Sequence, residues 1–518
     1  MPPSKRKPTD TAALLWKATA TLRGSTDASQ HKTVVLTLLY LRFLSLEFER
    51  SRRELGDTDD TNAPAYAPEG MRWIPPLARW DTLTRRIQDP DCDPVAVLDE
   101  AIMAVMQSNN DLTGVLPGAP ALIGNVERRR ITELFALFGD ALVTADGRRP
   151  ARDTMGELYQ YLSMMYADLL AESARAEGKK GGEFHTPSSV ATLLVETLRP
   201  RQGRVYDPCC GTGGLLVQAA KFAEVHGACP SVDLEYYGQE VNERTWQLAR
   251  MNLDIHGLLP ASLGCADTLA MDLLPNLKAD TVLANPPFNT SDWARREADP
   301  RWQYGTPPRR NANYAWLQHI VGKLSDRGSA GVVLANGALS SKWMGEDEIR
   351  EAMAEDDLLA CVVALPSQLF TSTQIPACVW FLTKDKSSQA NRGLTDRRGQ
   401  TLFIDARAMG EMVSRAHRVL TSDELDEIVG TYHAWRGTDS WSAEYRDVPG
   451  FCCSAGIDEI REHQHILTPG RYVGVEEADQ ERGGGRSHEL IDVLTRELLQ
   501  LLDRADQLEE EMRRHLDA

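Results

Sequence analysis

The sequence contains no apolar run long enough for a membrane-spanning helix, which needs about 20 consecutive apolar residues. Its longest apolar stretch, residues 34–48, is interrupted by Thr37, Arg42, Ser45 and Glu47. The chain also opens without a charged segment followed by an apolar one, so we expect no secretory signal. These features predict a protein with no membrane partner.

The nine cysteines lack the paired C-x-x-C spacing that is typical of a zinc site. Two pairs, Cys209–Cys210 and Cys452–Cys453, are adjacent in the chain and therefore poorly placed for ordinary disulfides. The cysteines thus predict no metal centre, and they favour a reducing cytoplasm as the location of the protein.

Positive charge is also in short supply. The chain has 57 Lys and Arg residues against 75 Asp and Glu, a formal net charge of −18. Proteins that bind nucleic acid unaided usually present a basic surface, because phosphate contacts dominate the affinity. Basic clusters are only local here, as at Arg128–Arg130 and Arg309–Arg310. If the ligand is a nucleic acid, we expect another polypeptide to provide many of the phosphate contacts.

What is present is an ordinary globular composition, with 42% hydrophobic and 25% charged residues, in a chain long enough for two or three domains. Residues 1–150 have helical apolar periodicity, clearest in Thr33–Phe48, Val95–Met106 and Ile131–Val143. From residue 151 to 420 a linking helix, Thr154–Ala176, leads into apolar strands that alternate with helical patterns. This alternation predicts a doubly wound α/β sheet. Residues 421–518 form a third, mixed region.

Residues 281–288 combine a strand pattern with a sharp turn. The apolar run Thr281–Ala284 predicts a buried strand, and the prolines of Asn285-Pro286-Pro287-Phe288 prevent the strand from continuing. Ligands bind at the C-terminal ends of strands in open α/β sheets. An amide oxygen and a proline carbonyl there can accept hydrogen bonds from one amino group while the aromatic ring stacks on a flat base. Alone, the tetrapeptide is more typical of a turn without a ligand; beside a cofactor site it favours methylation of an amino group.

Upstream, residues 204–214 predict a strand, a glycine-rich turn and the start of a helix. Asp207 ends the strand, and the turn contains Gly211, Thr212 and Gly213. Glycines let a ligand approach the backbone closely. The turn matches neither the phosphate-loop pattern nor the dinucleotide pattern G-x-G-x-x-G. We therefore predict that Asp207 faces a cationic amino-acid moiety rather than a pyrophosphate.

Two further acids follow predicted strands. Glu240 ends the strand 234–240, where an acid in nucleotide-binding folds accepts hydrogen bonds from ribose hydroxyls. Asp267 follows Cys265 and is placed to meet an adenine amino group. Each acid alone is more typical of a solvated loop, but three acids at successive strand ends predict one cofactor site.

These segments resemble the motifs of amino-group DNA methyltransferases that use S-adenosylmethionine. Residues 207–214 resemble the cofactor loop of those enzymes, residues 285–288 their catalytic turn, and residues 178–187 the cofactor segment beside the methionine moiety. The order of the segments is similar to that of the gamma class of adenine-N6 methyltransferases. Three more segments resemble the modification subunit of type I restriction-modification systems: residues 15–24, 239–242 and 467–474.

The resemblance implies a doubly wound S-adenosylmethionine-dependent methyltransferase sheet, an N-terminal helical domain and a C-terminal helical or coiled-coil tail. It implies a catalytic group of four residues: Asn285, Pro286, Pro287 and Phe288. The implied cofactor-binding residues are Glu183, Phe184, His185, Thr186, Pro187, Asp207, Gly211, Thr212, Gly213, Glu240 and Asp267. His185 stands where Tyr is common and Cys210 where Ala is common, but neither touches the atoms expected to react.

The C-terminal residues carry a coiled-coil pattern. After Gly483–Gly485, apolar residues alternate at spacings of three and four: Ile491, Leu494, Leu498, Leu501, Ala505, Leu508 and Met512. We favour a partner helix here over a helix folded back on its own domain. In the resembling systems a separate specificity subunit chooses the target and a separate ATP-driven restriction subunit cleaves. The expected partners are therefore DNA, a specificity subunit, a second copy of this chain and, in a larger complex, a restriction subunit.

The sequence as a whole predicts methyl transfer from S-adenosylmethionine to N6 of an adenine flipped out of DNA. Methylation of cytosine N4 is the nearest alternative, although those enzymes more often have Ser at the position of Asn285. Amino or amide methylation of RNA or protein is a second alternative, and an inactive DNA-binding scaffold is a third.

Overall fold

The computed structural model describes residues 17–22, 28–54, 72–141, 186–370, 375–388, 394–414, 417–438 and 444–474. The predicted linking helix, the heptad helix and the predicted site residues Glu183, Phe184 and His185 lie outside these ranges. In the part of the chain that is described, no helix combines the length and apolarity needed to cross a membrane.

The N-terminal region is helical, as its periodicity predicts. Its helices are α1 (Ala28–Glu54), α2 (Trp80–Gln88), α3 (Pro94–Ser108), α4 (Ala119–Ile123) and α5 (Arg128–Ala141), with 3-10 turns at Pro76–Ala78 and Asn110–Leu112. Helix α3 starts where Asp93 accepts a hydrogen bond from the Val95 amide, with Pro94 in the first turn, where its missing N–H costs nothing. Their apolar faces share one buried core.

A nine-stranded mixed sheet forms the centre of the rest of the chain, in the order β11-β8-β6-β7-β5-β4-β1-β2-β3. The strands are β1 (Gly203–Asp207), β2 (Leu234–Glu240), β3 (Ser262–Cys265), β4 (Ala279–Ala284), β5 (Leu324–Ala335), β6 (Leu359–Ala364), β7 (Ala377–Thr383), β8 (Gln400–Asp405) and β11 (Cys452–Gly456); β9 (Glu411–Ser414) and β10 (His417–Val419) form a separate ribbon. Strands β7 and β11 run antiparallel to their neighbours.

Helices cover both faces of the sheet, so the predicted doubly wound α/β class is confirmed. They are α6 (Ser188–Leu198), α7 (Gly214–Val225), α8 (Pro230–Asp233), α9 (Glu243–Ile255), α10 (Asn313–Lys323), α11 (Glu346–Glu355), α12 (Ser422–Arg436) and α13 (Ile457–Glu462), with 3-10 turns at Asn336–Leu339, Trp343–Gly345 and Pro469–Arg471. Neighbouring residues of a strand pack into cores on opposite faces of the sheet. Leu283 packs into the core that contains α7, and Val282 packs into the core that contains α10. This two-sided burial explains why the strands are continuously apolar.

Helix α9 joins the helical region to the sheet. Ala249 and Leu253 belong to a core beside the sheet, whereas Leu248, Met251 and Ile255 belong to the N-terminal core. Polar contacts reinforce this junction: the Tyr40 hydroxyl donates to Asp254 at 2.7 Å, and Arg72 pairs with the same carboxylate at 2.5 Å. Because the Asn252 side chain of α9 also donates to the Thr212 carbonyl, the glycine-rich turn and the helical region contact the same helix.

Candidate active site

A cavity of about 570 Å³ opens at the C-terminal edge of the sheet. It lies where the strand order reverses, since β1 pairs with β2 on one side and with β4 on the other. The ends of β1, β2 and β4 and the segment after β3 all contribute to its lining. Sheets of this kind bind ligands at such a switch point.

The turn after β1 exposes its backbone to the cavity. Gly211 has φ +53° and Gly213 has φ +78°, left-handed values that side chains disfavour. A Cβ added to Gly211 would meet no atom within 4 Å, so the space beside it is open. The Asn252 amide of α9 donates to the Thr212 carbonyl at 2.8 Å and holds the turn in place. The turn therefore offers a ligand close access to the main chain.

Three carboxylates predicted from the strand ends, Asp207, Glu240 and Asp267, line this one cavity. Burial, together with the neighbouring charge of Glu240, raises the pKa of Asp207 to about 7. The Glu240 carboxylate accepts hydrogen bonds from the Gly211 amide at 3.0 Å and the Asn242 amide at 2.8 Å. Asp267 accepts from the Leu269 amide at 2.9 Å. Because Asp267 lies two residues beyond the end of β3, it sits on the turn rather than in the strand.

The cysteines of the turn are not candidates for nucleophilic catalysis. Burial, assisted by the negative charges of Asp207 and Glu240, raises the pKa of the Cys209 and Cys210 thiols well above the usual value. They stay protonated, and a thiol is a poor nucleophile. Among the described residues, no group of His, Cys, Asp and Glu side chains is arranged to hold a metal ion.

Asn285 follows β4 directly and lines the cavity. Its amide nitrogen donates to the Thr186 hydroxyl at 3.0 Å. Its side-chain oxygen is buried and has no hydrogen-bond partner. A buried acceptor left in this state is costly unless a ligand satisfies it. The structure thus leaves an unsatisfied acceptor on Asn285, the residue that the sequence predicts to accept a hydrogen bond from an amino group.

The other residues of the turn, 286–288, are held by contacts with neighbouring residues. Pro286 is buried, Pro287 lines the cavity, and the Pro287 carbonyl accepts from the Thr290 hydroxyl at 3.2 Å. The half-buried Phe288 ring meets Phe370 edge to face, with 5.7 Å between ring centroids and 72° between ring planes. These contacts limit the positions that the turn and the Phe288 ring can adopt.

Phe370 was not predicted. It lies six residues beyond β6, whose C-terminal end shares the sheet edge with β4 because both strands run parallel to β5. The strand pattern at 361–365 was therefore the signal that could have located it. Trp293 and Trp316, which also line the cavity, had no such signal. Of the predicted cofactor segment, Thr186 lines the cavity and Pro187 precedes α6.

Comparison with known proteins gives consistent relatives. A family model described as N-6 DNA methylase matches residues 151–481, and one described as HsdM N-terminal domain matches residues 11–138. The methylase subunit of the type I restriction enzyme HindI from Haemophilus influenzae is 40% identical over 81% of this chain and 91% of that protein. The MjaIX methylase subunit from Methanocaldococcus jannaschii is 31% identical over 97% of this chain and 90% of that protein.

Solved structures agree. The crystal structure of a type I restriction-modification methyltransferase subunit from Streptococcus thermophilus superposes with a TM-score of 0.72 at 25% identity, covering 90% of this chain and all of that one. The family resemblance inferred from the motifs is therefore confirmed. The chain belongs to the N-6 DNA methylase family, together with the methylase subunits of type I restriction enzymes.

Proposed function

We propose that this methylase binds S-adenosylmethionine in the cavity and methylates N6 of an adenine flipped out of DNA. The observation that carries the proposal is the buried Asn285 side-chain oxygen, which lacks a hydrogen-bond partner at the cavity wall. An exocyclic amino group supplies the missing donor. The duplex must release the base, because N6 within a stacked pair cannot enter an enclosed site.

The residues of the cavity fit this cofactor. Gly211 leaves open space beside the main chain, and the cavity carries carboxylates for a molecule with positive charges. Asp207 binds the amino group of the methionine moiety, and Asp267 binds the adenine amino group. Glu240 already accepts two backbone hydrogen bonds, but each of its oxygens has a second lone pair for a ribose hydroxyl. When bound, the cofactor supplies an electrophilic methyl group on a positively charged sulfur.

The chain's own residues prepare the amino nitrogen. The Asn285 oxygen and the Pro286 carbonyl accept the two N6 hydrogens, so that the nitrogen lone pair points away from them, toward the methyl group. Phe288 stacks on the flipped ring, and Thr186 fixes the Asn285 amide. With the cofactor bound, its methyl group would be available to the N6 lone pair, its sulfur would retain the C–S electrons, and N6 would lose one proton to water. Positioning and preorganised acceptors provide the rate enhancement.

The proposal includes partners. The net charge of −18 makes unaided binding to DNA phosphates unfavourable. We therefore propose that the chain acts in the cytoplasm with a specificity subunit that grips and reads the DNA, and with a second copy of itself. A restriction subunit joins only the complex that cleaves.

An Asn285→Ala variant tests the chemistry. It should retain cofactor binding and lose transfer by about 10²–10³-fold, the usual cost of removing one preorganised hydrogen-bonding group. The assay is transfer of tritiated methyl to DNA by the chain co-expressed with its specificity partner, followed by chromatography of the nucleosides. An exposed-site variant, Asn276→Ala, is the matched control.

Label in N6-methyladenine that depends on Asn285 supports the proposal. Undiminished turnover in Asn285→Ala contradicts the assigned role, label in cytosine indicates the N4 alternative, and label in RNA or protein ends the proposed substrate class. Absence of transfer in every preparation, with DNA binding retained, indicates an inactive scaffold.

A further inference from the structure

One basic side chain reaches the cofactor cavity, and it comes from outside the sheet. Lys32 lies one turn after the start of α1, is only 7% exposed and lines the cavity. Among the described lining residues it is the only Lys or Arg, whereas four lining residues carry carboxylates: Asp207, Glu240, Asp267 and Asp292.

The surrounding contacts fix where α1 stands. Gln30 donates to the Ala121 carbonyl at 3.2 Å near the start of α1, and Tyr40 donates to Asp254 further along it. On the same α9 helix, Gln247 donates to the Gly114 carbonyl at 3.0 Å. Lys32 is thus brought to the cavity by the first half of α1, which is held by the contacts of Gln30 and Tyr40.

The cofactor's charges explain what a cation does in this acidic cavity. S-adenosylmethionine has a positive sulfonium and amino group, which suit carboxylates, but it also has one carboxylate of its own. The amino group and this carboxylate share one carbon atom, so both lie near Asp207 if Asp207 binds the amino group. Beside Asp207 the ligand carboxylate would be repelled unless a positive group or backbone N–H groups faced it.

We propose that Lys32 binds the methionine carboxylate of S-adenosylmethionine, so that the N-terminal helical region completes the cofactor site. This inference rests on the proposed cofactor. Lys32 is a binding residue for the cofactor and has no part in the transfer step. It also gives the helical region a direct effect on cofactor affinity.

The test compares two ligands and four proteins by isothermal titration calorimetry. The ligands are S-adenosylmethionine and decarboxylated S-adenosylmethionine, which lacks only the carboxylate. The proteins are the full chain and its Lys32→Met, Lys32→Arg and Lys17→Met variants, the last changing an exposed lysine of the same region. Lys32→Met should weaken S-adenosylmethionine about 10- to 100-fold, as expected for a lost charge-assisted hydrogen bond.

Lys32→Met should leave the affinity for the decarboxylated ligand unchanged or raise it. That ligand has no carboxylate for Lys32 to bind and carries more net positive charge, so the loss of Lys32 only reduces repulsion. Lys32→Arg should restore part of the affinity, and Lys17→Met should match the wild type. Equal weakening of both ligands, or no weakening of either, overturns the role of Lys32. Failure of the wild-type chain to bind S-adenosylmethionine overturns the cofactor proposal itself, which is a different result.

Discussion

The hydrogen bond from Asn285 to Thr186 fixes which way the Asn285 amide faces. With the nitrogen donating to the Thr186 hydroxyl at 3.0 Å, the oxygen is the atom without a hydrogen-bond partner, and it is the one that we propose accepts from the substrate. Thr186→Val has nearly the same shape but no hydroxyl. The amide then loses the contact that distinguishes its two orientations, and the flipped orientation presents a donor where the substrate needs an acceptor.

The size of the effect follows from the energy of that bond. A neutral hydrogen bond of this kind contributes about 0.5–1.5 kcal/mol net, which corresponds to a loss of about 2- to 13-fold in the productive orientation. Thr186→Val should therefore lower the rate of methyl transfer by roughly that factor. Asn285→Ala removes the acceptor altogether and should cost much more. Thr186→Ser keeps the hydroxyl and should stay close to the wild type.

Single-turnover transfer of tritiated methyl, with saturating cofactor and DNA, measures the step directly. The fall should appear in the transfer rate, while the decarboxylated cofactor analogue binds as it does to the wild type. A Thr186→Val enzyme as fast as the wild type would refute the orienting role. So would an equal loss in Thr186→Ser, because that variant retains the hydrogen-bond acceptor.

Two other predictions concern charge. The pKa of Asp207 is raised to about 7 in the folded protein, so folding favours the protonated carboxyl group. This contribution to the free energy of unfolding is fully present below pH about 4 and is lost as pH rises through 7. Since a bound cation favours the ionised carboxylate, the cofactor affinity measured by calorimetry should rise roughly eightfold from pH 6 to 7.5. The Asp207→Asn variant should bind the cofactor weakly, with an affinity that does not change with pH. A wild-type affinity that falls over this pH range would contradict the assignment. Asp254→Ala leaves the buried Tyr40 hydroxyl and Arg72 without their shared carboxylate. It should therefore lower the free energy of unfolding, measured by urea denaturation, by about 2–3 kcal/mol, and Asp254→Asn should lower it less. A loss below about 0.5 kcal/mol would show that the junction does not depend on this network.

The strand ends were predictable from sequence because the relevant signals are local. The apolar run before Asn285 and the glycines after Asp207 report a buried strand and a turn whatever the rest of the chain does. Parallel strands then bring such ends to one edge, so three distant carboxylates could be assigned to one cavity. The predicted strand 234–240 matches β2 residue for residue.

The partners of these residues were not predictable, because they depend on contacts between distant parts of the chain. Asn285 and Thr186 are 99 positions apart, and nothing near either residue specifies their hydrogen bond. Lys32 reaches the cavity only because α1 packs on α9. Helix α12 and strand β11 were also missed, since residues 421–474 mix short polar and apolar segments without a clear period. The proposed division of the chain at residues 150 and 420 stays a prediction.

The two-faced packing of α9 has a thermodynamic consequence. One side of this helix carries the support for the glycine-rich turn, through Asn252 and Thr212, and the other side carries the helical region. If assembly with a partner shifts the helical region on α9, we expect the free energy of cofactor binding to change as well, because the same helix holds the glycine-rich turn. By thermodynamic linkage, cofactor binding would change the free energy of that rearrangement by the same amount. A filled cofactor site would then favour one arrangement of the helical region on α9 over another.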